Sequence, residues 1–419
     1  MVPWKCGTRI DLNVITRLEV LGLLNNERRN YLVDLCQNMV KRPSLSGEEG
    51  EVAALIQEVM ADLGYDEIYV DRYGNVIGRI VFGQPGPTLL FEGHMDHVSP
   101  GDYSKWTVDP YGGIVSEGKI FGRGTTDMKG NLSAMIVAAS YVKADLADEL
   151  CGELMVAGSV HEECFEGVAS QEIGLISRPD YVVIGEPSSL DVKKGQRGRA
   201  EVVVETYGKS AHSASPHKGT NAVRKMVRLL NDLDEVYVPP NHVVLGKGIL
   251  ELTDIISFPY PGASVVPDRC RVTFDRRLLV GETPSSVLCV FEKVIEDMSG
   301  KDGDFVARAD IAEGEGACYT GETFRAKRFA PAWLLDEDSE YLKRALAALR
   351  KAGFSPRLSC YSFCTNGSYY AGKAGIPTIG FGGSDEELAH ICDEYIEIAQ
   401  LVYACQGYYA IAQGVLSSN

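Results

Sequence analysis

The sequence predicts an α/β protein, a domain with a mixed sheet flanked by helices, interrupted by an inserted α+β domain. Three observations lead there. Over residues 28–192, short apolar runs that stop at glycine or at a charged side chain alternate with helical apolar spacing, the mark of an α/β domain. From 193 to 313 the order becomes strand, helix, strand, strand, helix, strand, the split βαβ or ferredoxin-like unit. The α/β pattern then resumes. A chain of 419 residues also exceeds one ordinary core, so two domains are expected: 1–192 with 314–419, and 193–313.

The elements follow in order. Residues 1–26 carry no clear pattern and are expected to form a partly ordered extension. Tyr31, Leu32, Leu35 and Met39 share a helical face that ends near Pro43. Ser46-Gly47-Glu48-Glu49 has the form of a capping box, opening a helix over 52–63. Strands are expected at 67–70, 75–80 and 88–91, a helix at 129–145, and strands at 153–160 and 181–184. In the insert, strands at 199–207, 248–257, 269–278 and 305–312 accompany helices at 220–233 and 284–298. Beyond it come a helix at 338–351, strands at 356–361 and 378–381, a turn at Thr365-Asn366-Gly367, and a last helix at 393–413.

Composition narrows the function. Charged residues at 24% and apolar residues at 45% are those of a soluble globular chain. A net charge of −17 argues against nucleic acid or an anionic membrane surface as partner. No apolar run is long enough to span a membrane, and the first 24 residues lack the pattern of a secretion signal. Eleven cysteines, without a Cys-x-x-Cys pair, are expected to be reduced and mostly buried, which points to the cytoplasm.

Candidate chemistry gathers where the α/β strands end. Phe91-Glu92-Gly93 closes an apolar run, and His94 and Asp96 then share one face of an extended segment. Gly122-Arg123-Gly124-Thr125-Thr126-Asp127 is a glycine-rich turn into a helix. Glu162-Glu163 and Glu186 close two further strands, and His390 lies in a loop near the C-terminus. Ligands of open α/β sheets collect outside the carboxyl ends of the strands. Carboxylates converging there repel one another unless cations neutralise them. Mixed histidine and carboxylate donors suit zinc, with manganese or cobalt as substitutes.

The strings GHMDHV, GRGTTDMKG, HEE, IGEPS and AHICDE, in this order over residues 30–415, resemble the dinuclear zinc peptidase and deacylase family. That family includes acetylornithine deacetylase, succinyl-diaminopimelate desuccinylase, aminoacylase-1 and glutamate carboxypeptidase. Within it the chain is similar to the hydrolase subgroup associated with selenium metabolism. The resemblance implies two divalent metal ions, with His94 and Glu186 on one, Glu163 and His390 on the other, and Asp127 bridging. Asp96 would orient the His94 ring, and Glu162 would be the general base. The insert would be a lid and dimerisation domain, in which His212 reaches the partner subunit's site to stabilise the oxyanion. Arg277 would hold a substrate carboxylate, and the turn at Asn366 and Gly367 would help bind substrate. Two departures bear on the substrate: Ser264 stands where the family often has asparagine, and Cys364-Thr365-Asn366-Gly367 replaces a glycine-rich turn with Asp.

The expectation is therefore a cytoplasmic, homodimeric, zinc-dependent hydrolase. It would cleave the amide of a small substrate with a free carboxylate, an N-acyl amino acid or a dipeptide. An exopeptidase on longer peptides and a non-catalytic, metal-stabilised binding protein are the rivals.

Overall fold

The structure, a computed structural model, describes residues 24–417. The expectation for residues 1–26 lies outside these except at its end, where the Asn25 side chain caps helix α1 (Asn26–Val40). Helix α2 (Gly50–Asp62) and strands β1 (Glu67–Val70), β2 (Val76–Val81) and β3 (Gln84–His94) follow. Then come α3 (Gly130–Leu146), β4 (Cys151–Ser159), α4 (Ser170–Ser177), β5 (Tyr181–Ile184) and β6 (Val192–Gln196).

The chain next builds a second sheet from β7 (Gly198–Tyr207), β8 (Ile249–Phe258), β9 (Arg269–Leu278) and β10 (Val306–Ile311). Helices α5 (Ala222–Val236) and α6 (Pro284–Lys301) pack on it. Its antiparallel order is β8-β9-β7-β10, the ferredoxin-like arrangement. Each helix has a sequence reason to start where it does. Asn221 caps α5, and Thr283 and Ser286 form a reciprocal capping box at α6 with Pro284 in its first turn.

A hairpin of β11 (Glu313–Ala317) and β12 (Thr323–Lys327) leads out, and β13 (Phe329–Ala330) adds to β7. The chain returns through β14 (Trp333–Leu334), α7 (Glu340–Lys351), β15 (Leu358–Tyr361), β16 (Thr378–Gly380), β17 (Tyr395–Glu397) and α8 (Ile398–Leu416). The large sheet runs β1-β2-β4-β3-β5-β16-β6-β14, with β15 also on β6. It is mixed: β4, β3, β5 and β16 are mutually parallel, while β1, β2 and β14 pair antiparallel. Helix α3 lies at the core and is buried on every face from Gly130 to Val142, against α8 and α1.

Three local expectations are corrected. Ser46 does not cap α2; its hydroxyl donates to Asp96, and Glu49 accepts from the amides of Gly47 and His161 instead. The last helix begins at Ile398 and not at 393, because Tyr395–Glu397 pairs as a strand with Lys119–Phe121. Strand β6, which begins at Val192 and contains Lys193 and Lys194, belongs to the large sheet, although the insert was expected to begin at 193. Both lysines are buried, against Glu386 and Glu337. Every cysteine among the described residues carries a free thiol, and no helix among them is long and apolar enough to cross a membrane.

Candidate metal centre

Strand register builds the site. Glu92 of β3 pairs with Ile184 of β5, so His94 and Glu186, each two residues further on, reach the same level. On the other side His94 pairs with Ser159 of β4, and the chain turns there into Glu162-Glu163. Gly124, in the left-handed region at φ +84°, opens the tight turn that delivers Asp127 ahead of α3. His390, itself at φ +65°, comes from the loop before β17.

These side chains meet. His94 Nε2 lies 2.9 Å from Asp127 Oδ1 and 3.6 Å from Glu186 Oε1. His390 Nε2 lies 3.0 Å from Asp127 Oδ2 and 3.2 Å from Glu163 Oε1. Two triads result, His94–Asp127–Glu186 and Asp127–Glu163–His390, each with its ligand atoms within 4.8 Å of one another. Asp127 belongs to both, one oxygen to each histidine. The five residues fit a pair of divalent cations by donor type, imidazole and carboxylate, and by the shared carboxylate between the two triads.

The electrostatics describe a site built for positive charge. Burial raises the pKa of Glu163 and Glu186, and repulsion from Asp127 adds to it. Burial opposes charge on Asp127 too, but His390 and His94 outweigh it and hold its carboxyl well below the usual range. Bonds to Asp127 and Glu163 push His390 up to about 10. Burial pulls His94 the other way, and its bonds to Asp127 and Asp96 still leave it well above the ordinary value. The surrounding carboxylates thus favour positive charge at both rings, the same charge that bound cations would supply.

Glu162 differs from its neighbour. It is 6% exposed, its Oε1 has no hydrogen-bond partner, and burial, with Glu186 and Glu163 nearby, raises its pKa well above the ordinary carboxylate value. Its backbone is fixed: the amides of Glu162 and Glu163 donate to Asp96 Oδ1 and Oδ2 at 3.1 and 3.2 Å. Asp96 also accepts from Ser46 at 2.7 Å. The His94 ring is oriented mainly by the carbonyl oxygen of Asp96, 2.9 Å from Nδ1, with the carboxylate at 3.5 Å. Asp96 therefore holds the Glu162-Glu163 turn as much as it holds the histidine.

The other sequence candidates stand apart. His212 is exposed on a short strand, its Nδ1 accepting from the Ala214 amide. Among the described residues no bond joins it to the cluster. Arg277 pairs through Nε with Asp275, at 2.8 Å. Asn366 is buried: its amide nitrogen donates to Glu92 and Ser159, and its oxygen accepts from the Gly167 amide. Gly367 is buried under Trp333, whose Nε1 would lie 2.7 Å from a Cβ placed there.

Sequence reasoning missed Arg123 and Glu394. Glu394 is fully buried and accepts from the amides of Thr126 and Asp127, at 2.9 and 3.2 Å, and from Arg123 Nη1 at 2.5 Å. The signal was present: an arginine in the turn before Asp127 needs a counter-charge, and a glutamate stands four residues after His390.

Known proteins agree with this architecture. The protein YgeY of Escherichia coli is 34% identical over 407 residues, covering 95% of this chain and 98% of that one. A succinyl-diaminopimelate desuccinylase of Cereibacter sphaeroides is 27% identical over 381 residues, covering 88% and 94%. Among solved structures, aminopeptidase PepT from Bacillus cereus matches the fold with a TM-score of 0.71 at 20% identity, covering 94% of this chain and 99% of its own. The YXEP protein of Bacillus subtilis, a dinuclear metal-binding peptidase, matches with a TM-score of 0.67 at 16% identity, covering 94% and 99%. The model of peptidase family M20/M25/M40 matches residues 90–414, and with the strand-end cluster lying inside that span the chain belongs to this family of hydrolases.

Proposed function

We propose that the protein is a two-metal amidohydrolase that cleaves a small substrate with a free carboxylate, an N-acyl amino acid or a dipeptide. One observation carries it: a buried carboxylate, Glu162, whose Oε1 has no hydrogen-bond partner, stands beside a complete donor set. Binding alone needs no such group; proton transfer does. The desuccinylase among the relatives supports a small amide substrate.

His94, Asp127 and Glu186 would hold one cation, and Asp127, Glu163 and His390 the other, with zinc favoured by the donor set. Bound there, divalent cations supply Lewis-acid activation of water and of the scissile carbonyl. The protein's own groups do the rest. Glu162 Oε1 takes a proton from the attacking water and delivers it to the leaving nitrogen. Asp96 keeps that carboxylate in place through the two backbone amides. Arg277 is the candidate for the substrate carboxylate, once released from Asp275.

His212 would stabilise the oxyanion in a partner's site. Its separation from the cluster of its own chain, and the exposed Leu252, Ile255 and Ile256 on edge strand β8, support a homodimer that completes the site. The test is Glu162→Gln, assayed for turnover on N-acyl amino acids and dipeptides and for metal content. Loss of turnover with metal content intact supports the proposal. Unchanged turnover contradicts it and leaves the binding-protein alternative.

A further inference from the structure

The buried pair of Arg123 and Glu394 lies outside the ligand set, yet it touches both loops that supply its outer members. Glu394 Oε1 receives the amides of Thr126 and Asp127 at 2.9 and 3.2 Å, which fixes the backbone carrying the shared carboxylate. Glu394 Oε2 receives Arg123 Nη1 at 2.5 Å, and Arg123 Nη2 points to the carbonyl oxygen of His390 at 3.4 Å. The backbone oxygen of Glu394 accepts from Gly122, at the opening of the same turn. The two side chains are 3% and 0% exposed, so neither ion is solvated by water. A charge pair this deep is costly to bury and gives little net stability, so a positional role is the better physical account of it.

We infer that Glu394 and Arg123 are positioning residues that set the separation of Asp127 from His390, and hence the geometry of the Asp127–Glu163–His390 site. The pair works as a single strut. Its carboxylate end grips the Asp127 turn, and its guanidinium end grips the His390 carbonyl. His390 needs such a grip: its side chain is about half exposed at 49%, and its backbone sits at φ +65°, where a residue with a Cβ is disfavoured. The His94 side of the centre needs none. His94 and Glu186 stand at the ends of paired strands and are placed by register. Two of the three ligands of the His94 site are thus placed by the sheet, whereas two of the three ligands of the other site, Asp127 and His390, are gripped by this pair.

The inference rests on the proposed metal reading and is separable from it. Zinc binding to the metal-stripped full chain is measured by calorimetry for the wild type, Glu394→Gln and His390→Ala. Wild type should take up two equivalents. In Glu394→Gln, one equivalent should weaken about 10–100-fold, as loss of an outer partner commonly does, while the other changes little. The weakened equivalent should be the one that His390→Ala removes, and the double variant should be no worse than His390→Ala alone. If Glu394→Gln does not fold because Arg123 is left unpaired, Glu394→Gln with Arg123→Met removes both charges, and the same selective loss is expected. Equal weakening of both equivalents, or two unchanged equivalents, overturns the inference. A wild type that binds no zinc overturns the metal reading as well, which distinguishes the two failures.

Discussion

The strand-end cluster and the inserted domain are built in opposite ways. In the cluster, His94, Asp96, Glu162 and Glu186 are buried, and their placement follows from strand register. In the insert, His212 is exposed and Arg277 is turned to Asp275, and neither touches the cluster. The first region is organised before any ligand arrives. On the proposed reading, closure or a second subunit would bring the candidates of the second region to the cluster. Metal affinity should therefore depend on the cluster alone, and turnover on both.

The largest effect expected is on Glu162. Glu162→Gln should lower kcat on the order of 10²–10⁴-fold, the usual worth of a positioned proton-transfer group, with zinc content unchanged. His212→Ala should cost roughly 10²–10³-fold in kcat, as loss of an oxyanion donor does, again with metal binding intact. A His212→Ala protein that also lost zinc would break the division between the two regions. Ile255→Asp on the exposed edge of β8 should lower both dimer content and turnover, read by sedimentation and assay on one sample. A monomer with full turnover would remove the partner-subunit role of His212.

The pH dependence separates the metal-free and metal-loaded forms. His390 is raised to about 10 in the folded chain, and its unfolded value is about 6.5. Its pairing therefore adds stability that is fully present below about pH 6.5 and lost as pH rises through about 10. Metal uptake must displace that proton, so zinc affinity should rise between about pH 6 and about pH 8 with proton release on binding. Calorimetry in two buffers of different ionisation enthalpy measures the release. Affinity independent of pH would remove His390 from the ligand set. Chelation should also lower Tm, since free zinc at 100 times its Kd contributes about 2.7 kcal/mol of stability. The smallest effect belongs to the insert: Thr283→Ala at the α6 cap should cost about 1 kcal/mol and leave zinc binding unchanged.

Much of this was legible in the sequence because the signals were local. Apolar runs ending at Glu92-Gly93 and Ile184-Gly185 are strand ends by themselves, and the insert's strand and helix order names its topology. What was not legible depends on partners distant in sequence. Ser46 had the right spacing for a capping box, but Asp96, fifty residues away, takes its hydroxyl. The boundary drawn at 193 cuts through a strand of the large sheet, because Lys193 and Lys194 are buried there against Glu386 and Glu337, partners that lie far away in sequence. Glu394 was passed over because its value lies in Arg123 and two amides some 270 residues earlier. The bonds of the Asn366 amide to Glu92, Ser159 and Gly167 were likewise invisible in its turn sequence.

The most direct test is reconstitution. Metal-stripped protein is titrated with zinc while hydrolysis of a panel of N-acyl amino acids and dipeptides is followed. Turnover should be absent at the start and return only as about two equivalents per chain are bound. Turnover that persists unchanged in the stripped protein, or two bound equivalents with no hydrolysis of any substrate, would contradict the account.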